Sequence, residues 1–180
     1  AMRTAAEFVA ELRSLGFEVP IFTGTGTGTY DIDSRAIDSL TDIQPGSYVC
    51  MDQEYLEVQA EDAKQFSALF ADNPMSVLAG VVSTNHAPEQ VTLDAGLKAI
   101  YRDGPAPRVT WPAHLVDATY EWAGDEHAYL RLPKETGKSP QAGDVVLLRA
   151  SHCDPTINRM RRLSVDQVRR LYIPLLADIR

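Results

Sequence analysis

The stretch Val19-Pro20-Ile21-Phe22-Thr23-Gly24-Thr25-Gly26-Thr27-Gly28-Thr29-Tyr30 carries a short apolar run straight into a strictly alternating glycine–threonine loop. Val19 to Phe22, closed by a glycine-rich segment, read as a buried strand and the turn that ends it. Upstream, Thr4-Ala5-Ala6-Glu7 has the form of a capping box, in which a hydroxyl and a glutamate satisfy free amides at a helix start. Phe8, Leu12 and Leu15 recur at i, i+4 and i+7, which predicts a helix over about residues 5 to 15. Gly16 supplies its left-handed stop and lets Phe17 fold back onto Leu12. With a further short helix expected over Ala36 to Leu40, this region forms one α/β unit.

Beyond Thr41 the pattern changes to short β-type runs, predicted at Ser47 to Met51, Ala79 to Ser83, Val91 to Leu93, Ala99 to Tyr101, Arg108 to Trp111, His127 to Leu132 and Asp144 to Arg149. Pro45-Gly46, Asp72-Asn73-Pro74, Asp103-Gly104-Pro105 and Ala142-Gly143-Asp144 punctuate them. Strands so spaced, without helices between them, predict a sandwich or small barrel. The expected organisation is therefore residues 1–40 as an α/β piece and residues 41–180 as a β-domain, a mainly β fold with some α. Ser164 to Arg180 reads equally as a capped helix or a closing strand.

The 180 residues, 44% hydrophobic, suffice for a sizeable core. A net charge of -8 and a pI near 4.9 argue against nucleic acid or an anionic membrane surface as partner, since either calls for a basic patch. The one basic cluster, Arg159, Arg161 and Arg162, reads as a solvated turn. Cys50 and Cys153 show no framework spacing, so a disulfide scaffold is not expected and a reducing cytoplasm fits better. Arg3, Glu7, Glu11 and Arg13 interrupt the N-terminal segment, which reads as neither signal peptide nor membrane span.

Two constellations carry chemistry. Glycines in the Gly24 to Thr29 loop let successive amides turn toward one point and the threonine hydroxyls add donors, which suits a phosphate. His152 and Asp154 lie two apart, so on an extended segment both face one side, where an imidazole nitrogen and a carboxylate can share a divalent cation. Thr156 is expected on that face, and Cys153 on the other, buried. Two protein ligands leave positions open for water or substrate, as a catalytic metal requires. His86, His114 and His127 read as surface or structural, and Lys98 as a turn lysine rather than a Schiff-base nucleophile.

Four segments together resemble the D-threonine aldolase and D-serine dehydratase family of metal-activated pyridoxal-phosphate enzymes, whose barrel is of the alanine-racemase type (fold III). They are Gly24-Thr25-Gly26-Thr27-Gly28-Thr29-Tyr30, Gln44-Pro45-Gly46-Ser47-Tyr48-Val49-Cys50-Met51-Asp52, Asp94-Ala95-Gly96-Leu97-Lys98-Ala99 and Ser151-His152-Cys153-Asp154-Pro155-Thr156-Ile157-Asn158. The resemblance implies that residues 1–40 are the last unit of an incomplete (β/α) barrel and that residues 41–180 are the metal-binding β-domain, the C-terminal portion of such an enzyme. It implies a cofactor phosphate on Gly26, Thr27, Gly28, Thr29 and Tyr30, and a divalent metal, manganese, zinc or similar, on His152 and Asp154.

The implied reaction is retro-aldol cleavage of a β-hydroxy-D-amino acid to glycine and an aldehyde, with dehydration of D-serine or 3-hydroxy-D-aspartate as the alternative. An aspartate as second ligand, where a cysteine is associated with the dehydratases, favours the aldolase. None of Lys64, Lys98, Lys134 and Lys138 stands in the family's Schiff-base lysine motif, so no catalytic residue is assigned and the chain is expected to be inactive alone. A homodimer, or a partner chain supplying the N-terminal barrel, is implied. A non-catalytic module that completes a barrel in trans is the reading from outside enzymology.

Overall fold

Six short segments in which alternate residues are apolar close into a barrel of strand order β3-β4-β7-β6-β5-β8, every pairing antiparallel. The strands are β3 (Val77–His86), β4 (Gln90–Leu93), β5 (Arg108–Trp111), β6 (Thr119–Trp122), β7 (Ala128–Arg131) and β8 (Val145–Arg149). Because successive side chains alternate across a strand, Val77, Ala79, Val81, Val91, Leu93, Val109, Tyr120, Ala128, Leu130, Val146 and Leu148 all point inward and are buried. A barrel this narrow is filled by its own side chains and has no exposed sheet edge. β3 pairs with β8 through Val77 to Gly80 and with β4 from Val81 onward, and the register shifts after Val81 and Ser83 bend it between the two partners.

The computed structural model describes residues 1–58, 75–134, 137 and 139–160. It separates into two units, one holding Ala1–Val49 and the described residues 55–58, the other Cys50–Glu54 and the described residues from Met75 onward. In the first, α1 (Met2–Ser14) precedes β1 (Thr23–Gly24), α2 (Tyr30–Ala36) and β2 (Asp42–Ile43), and β1 pairs in parallel with β2. Val9, Phe22 and Ile37 form its small core.

Several local expectations change. Helix α1 begins at Met2 without a side-chain cap, so Thr4 lies inside it and the capping box is not used. Its stop is as read, with Gly16 at φ +88° and the Phe17 amide donating to the Leu12 carbonyl. The buried face, however, is Val9 with Met2, Ala5 and Ala6, whereas Phe8, Leu15, Phe17 and Ile21 are 60–70% exposed. The expected strand over 19–22 is confined to Thr23 and Gly24, because β2 offers only two residues to pair, and the Thr41 side chain receives the Phe22 amide instead. The helix expected over 36–40 lies at Tyr30–Ala36. Ser47 to Met51 is no strand: Ser47–Val49 form a 3-10 turn after Gly46.

In the barrel unit, Ala99 to Tyr101 is no strand either, since the Ala99 and Ile100 amides both turn back onto the Gly96 carbonyl and drive Ile100 into the core. The strand Thr119–Trp122 was not anticipated. Arg161, Arg162 and Ser164 to Arg180 lie outside the described residues.

Candidate functional site

The end of β8 delivers the two residues singled out as a candidate metal pair. After Arg149 the chain leaves the barrel, His152 stays extended (φ -137°, ψ 127°), and α3 (Cys153–Ile157) begins at the next residue. His152 and Asp154 are therefore not on one extended segment, as their spacing suggested. Asp154 stands in the first turn of a helix that His152 precedes. They still converge: His152 Nε2 lies 3.8 Å from Asp154 Oδ2. Thr156 does not share that face; it is fully buried, and its hydroxyl donates to the His152 carbonyl at 2.7 Å. Cys153 is buried as expected, and both cysteines are free thiols.

Carboxylates surround the imidazole. Asp103 Oδ2 lies 3.1 Å from His152 Nδ1, and buried Asp52 accepts the Cys153 amide at 3.1 Å, capping α3 from a distant part of the chain. Partial burial of the His152 ring works against its charge, but the hydrogen bond to Asp103 and the fields of Asp52, Asp154 and Glu54 outweigh it and raise the pKa. The Cys50 thiol is pushed up by burial, then by Asp154 and Asp52. Neither Asp52 nor Asp103 was assigned a role from the sequence. Asp52 stood within a family-like segment, and Asp103 read only as part of a turn.

Two donors on a cation at about 2.0–2.2 Å each stand roughly 3.0–3.5 Å apart, so a 3.8 Å separation closes onto an ion with a small rotation of Asp154. That carboxylate is 72% exposed and free to make it. Among the described residues no group of three or more His, Cys, Asp or Glu side chains is placed to hold an ion. The outer His152 nitrogen bonded to a carboxylate is the arrangement that metal-ligating histidines commonly show.

The glycine–threonine loop stands in the other unit. Thr25 takes a left-handed backbone (φ +61°), its hydroxyl bonds that of Thr29 at 2.7 Å, and the Thr29 and Tyr30 amides close onto the Gly26 carbonyl. Buried Thr27 accepts the Tyr48 amide. The Gly26, Thr27 and Gly28 amides make no backbone hydrogen bond among the described residues, so they are the donors available to an anion. The Thr29 and Tyr30 amides are committed to the turn, and Asp31 and Asp33 in the first turn of α2 oppose a negative charge there.

The remaining candidates settle as surface groups. His86, His114 and His127 are exposed, and Lys98 forms an exposed ion pair with Glu126. Arg159 donates to the Leu97 carbonyl and stacks 4.8 Å from the centroid of the Tyr101 ring. Among the described residues, no helix is long and apolar enough to cross a membrane.

Residues 74–165 match the family described as "Putative serine dehydratase domain". The chain is 35% identical over 158 residues to a D-threonine aldolase of Arthrobacter sp., covering 88% of this chain and 39% of that protein. It is 30% identical over 159 residues to a 3-hydroxy-D-aspartate aldolase of Paracoccus denitrificans, with the same coverage. The crystal structure of D-threonine aldolase from Filomicrobium marinum superposes with a TM-score of 0.69 at 30% identity, over 84% of this chain and 38% of that one. D-threo-3-hydroxyaspartate dehydratase from Delftia sp. HT23 shares the fold at a TM-score of 0.62 and 20% identity, over 86% of this chain and 43% of that one. The chain thus spans about two-fifths of the length of the curated relatives it matches. With the family match covering 92 of its 180 residues, the chain belongs to the family of the serine dehydratase-type domain found in D-threonine aldolase-like proteins.

Proposed function

We propose that this chain is the metal-bearing C-terminal part of a pyridoxal-phosphate- and divalent-metal-dependent lyase that cleaves β-hydroxy-D-amino acids into glycine and an aldehyde. The observation that carries the reading is the convergence of His152 Nε2 and the Asp154 carboxylate, 3.8 Å apart, with Nδ1 engaged by Asp103. The aldolase branch is favoured over dehydration because both curated relatives above are aldolases and because the second donor is a carboxylate.

A divalent ion bound there supplies Lewis acidity toward a substrate hydroxyl, while pyridoxal phosphate supplies an electron sink for the breaking Cα–Cβ bond. The chain's own residues do the holding. His152 and Asp154 present one nitrogen and one oxygen and leave the remaining coordination positions to solvent or substrate, and the Gly26, Thr27 and Gly28 amides receive a phosphate. Lys98 is engaged with Glu126 on the surface. In this reading, covalent attachment falls to a lysine-bearing barrel unit, on this polypeptide or a partner. The exposed Phe8, Leu15, Phe17 and Ile21 support such a partner, since an apolar surface of this kind is usually covered.

Calorimetric titration with manganese tests the reading: binding to the wild-type chain is expected to vanish in His152→Ala and in Asp154→Ala. Unchanged affinity in both variants would end the claim. Mixing the chain with an alanine-racemase-type barrel bearing the lysine then separates the two chemistries. Glycine and acetaldehyde from D-threonine indicate the aldolase, and a keto acid with ammonia from D-serine or 3-hydroxy-D-aspartate the dehydratase. Absence of both, with manganese present, leaves a binding module.

A further inference from the structure

We infer that Asp103 is the positioning residue that fixes the tautomer of His152, keeping the proton on Nδ1 and the lone pair of Nε2 directed toward Asp154. The inference rests on the reading that Nε2 and the Asp154 carboxylate share a cation. An ionised carboxylate only accepts hydrogen bonds, so the ring nitrogen 3.1 Å from Asp103 Oδ2 must be the one that carries the proton. In the neutral ring the other nitrogen, Nε2, is then bare and able to ligate.

The backbone around the contact is held in place by buried side chains. Ser151, fully buried, donates its hydroxyl to the Tyr101 carbonyl at 3.1 Å. Thr156, also fully buried, accepts the Tyr101 amide at 3.4 Å while donating to the His152 carbonyl at 2.7 Å. Both backbone groups of Tyr101 are thereby tied to the segment that bears His152, on either side of it. The Arg159 guanidinium closes over the Tyr101 ring from the same stretch of chain. Asp103 follows two residues after this clamp, so its Cα is held beside the imidazole although its side chain is 54% exposed.

The test uses the full chain labelled with 15N and free of metal. Long-range 1H–15N spectra, recorded where the rings are neutral, resolve the tautomers of the four histidines, and His152→Gln identifies the signals of His152. Expected are a protonated Nδ1 and a bare Nε2 in the wild type. Asp103→Ala should move the proton toward Nε2 and weaken manganese affinity about 10- to 100-fold, as loss of an outer-shell partner does. Asp103→Glu, which keeps the acceptor, should recover part of both effects. Tryptophan-monitored melting controls for folding. A bare Nδ1 in the wild type, or ring shifts and affinity unaltered in Asp103→Ala, would overturn the assignment. The expected tautomers in a wild-type chain that takes up no manganese would uphold the positioning and refute the metal reading instead.

Discussion

Gly96→Ala is expected to be among the most damaging single methyl additions to the barrel unit. A Cβ built on Gly96 would lie 2.5 Å from the His127 nitrogen, 2.6 Å from the Gly124 oxygen and 2.7 Å from the Asp125 oxygen. All three are backbone atoms, so no rotamer relieves the clash, and reaching an ordinary contact of about 3.5–4.0 Å demands an opening of roughly 1 Å. Three hydrogen bonds span that gap, from the Gly96, Leu97 and Lys98 amides to the Glu126, Gly124 and Asp125 carbonyls at 3.2, 3.0 and 2.9 Å. Losing them at a net of about 1 kcal/mol each gives roughly 3 kcal/mol. Retaining them under strain costs about 1–3 kcal/mol, so the expected destabilisation is about 3 kcal/mol. For a chain of this size that lowers the melting temperature by roughly 6–12 °C. Both tryptophans, Trp111 and Trp122, stand in the barrel unit, so their fluorescence during thermal unfolding reads that unit alone. Gly46→Ala is the control: nothing lies within 4 Å of its Cβ and its backbone is not left-handed, so it should stay within about 0.5 kcal/mol of wild type. A Gly96→Ala melt matching the wild type, or a Gly46→Ala melt falling as far, would falsify the close-approach argument.

Two further outcomes follow from the site and the core. Because the folded state raises the pKa of His152, its contribution to metal-free stability is fully present below the ordinary value of 6.5 and is lost as pH rises through the raised value. Metal affinity must run the opposite way, since a protonated Nε2 cannot ligate. Manganese titrations from pH 5 to 8 should thus tighten with pH while His152→Gln flattens the metal-free melting profile, and a pH-independent affinity would contradict the assignment. In the barrel, Tyr120 is 2% exposed and its hydroxyl donates to the Ala95 carbonyl, while its ring meets Trp122 edge-on at 5.2 Å. Tyr120→Phe keeps the packing and orphans the carbonyl, so it should cost about 1–2 kcal/mol in chemical denaturation; a neutral result would show that water reaches Ala95.

What could be read from the chain divides along a physical line. β5 and β8 were legible because Arg108 to Trp111 and Val145 to Arg149 are rich in β-branched, aromatic or aliphatic residues and are flanked by proline or glycine turns. β6 was not, because Thr119–Trp122 has only four residues and no glycine or proline marks where it begins. Its strand character comes from pairing with β7, which the local pattern does not contain. The reverse error at Ala99 to Tyr101 has the same origin: the residues suit a strand, but the close approach at Gly96 turns their amides inward. On α1, the apolar spacing located the helix and misassigned its buried side, since Phe8 and Leu15 stand on its exposed face.

His152 and Asp154 could be singled out because they sit within three residues of each other, and the carboxylates around them could not because their contacts span 49 and 101 positions. Those supports nevertheless all belong to one unit. Asp52, Tyr101, Asp103, Ser151 and Thr156 fold with the barrel, and the Gln53 and Glu54 amides further tie Asp52's segment to the Ala150 and Ser151 carbonyls. The geometry around His152 is therefore set by contacts internal to the barrel unit, whatever completes the protein elsewhere. On the proposed reading, divalent-ion binding should then be a property of this chain on its own, while turnover should require a lysine-bearing barrel unit. Manganese affinity in the isolated chain that is unchanged when a complementing barrel is added would agree with that division. Affinity that appears only with the barrel present would mean that the partner, and not the Asp103 and Asp52 framework, sets the metal site.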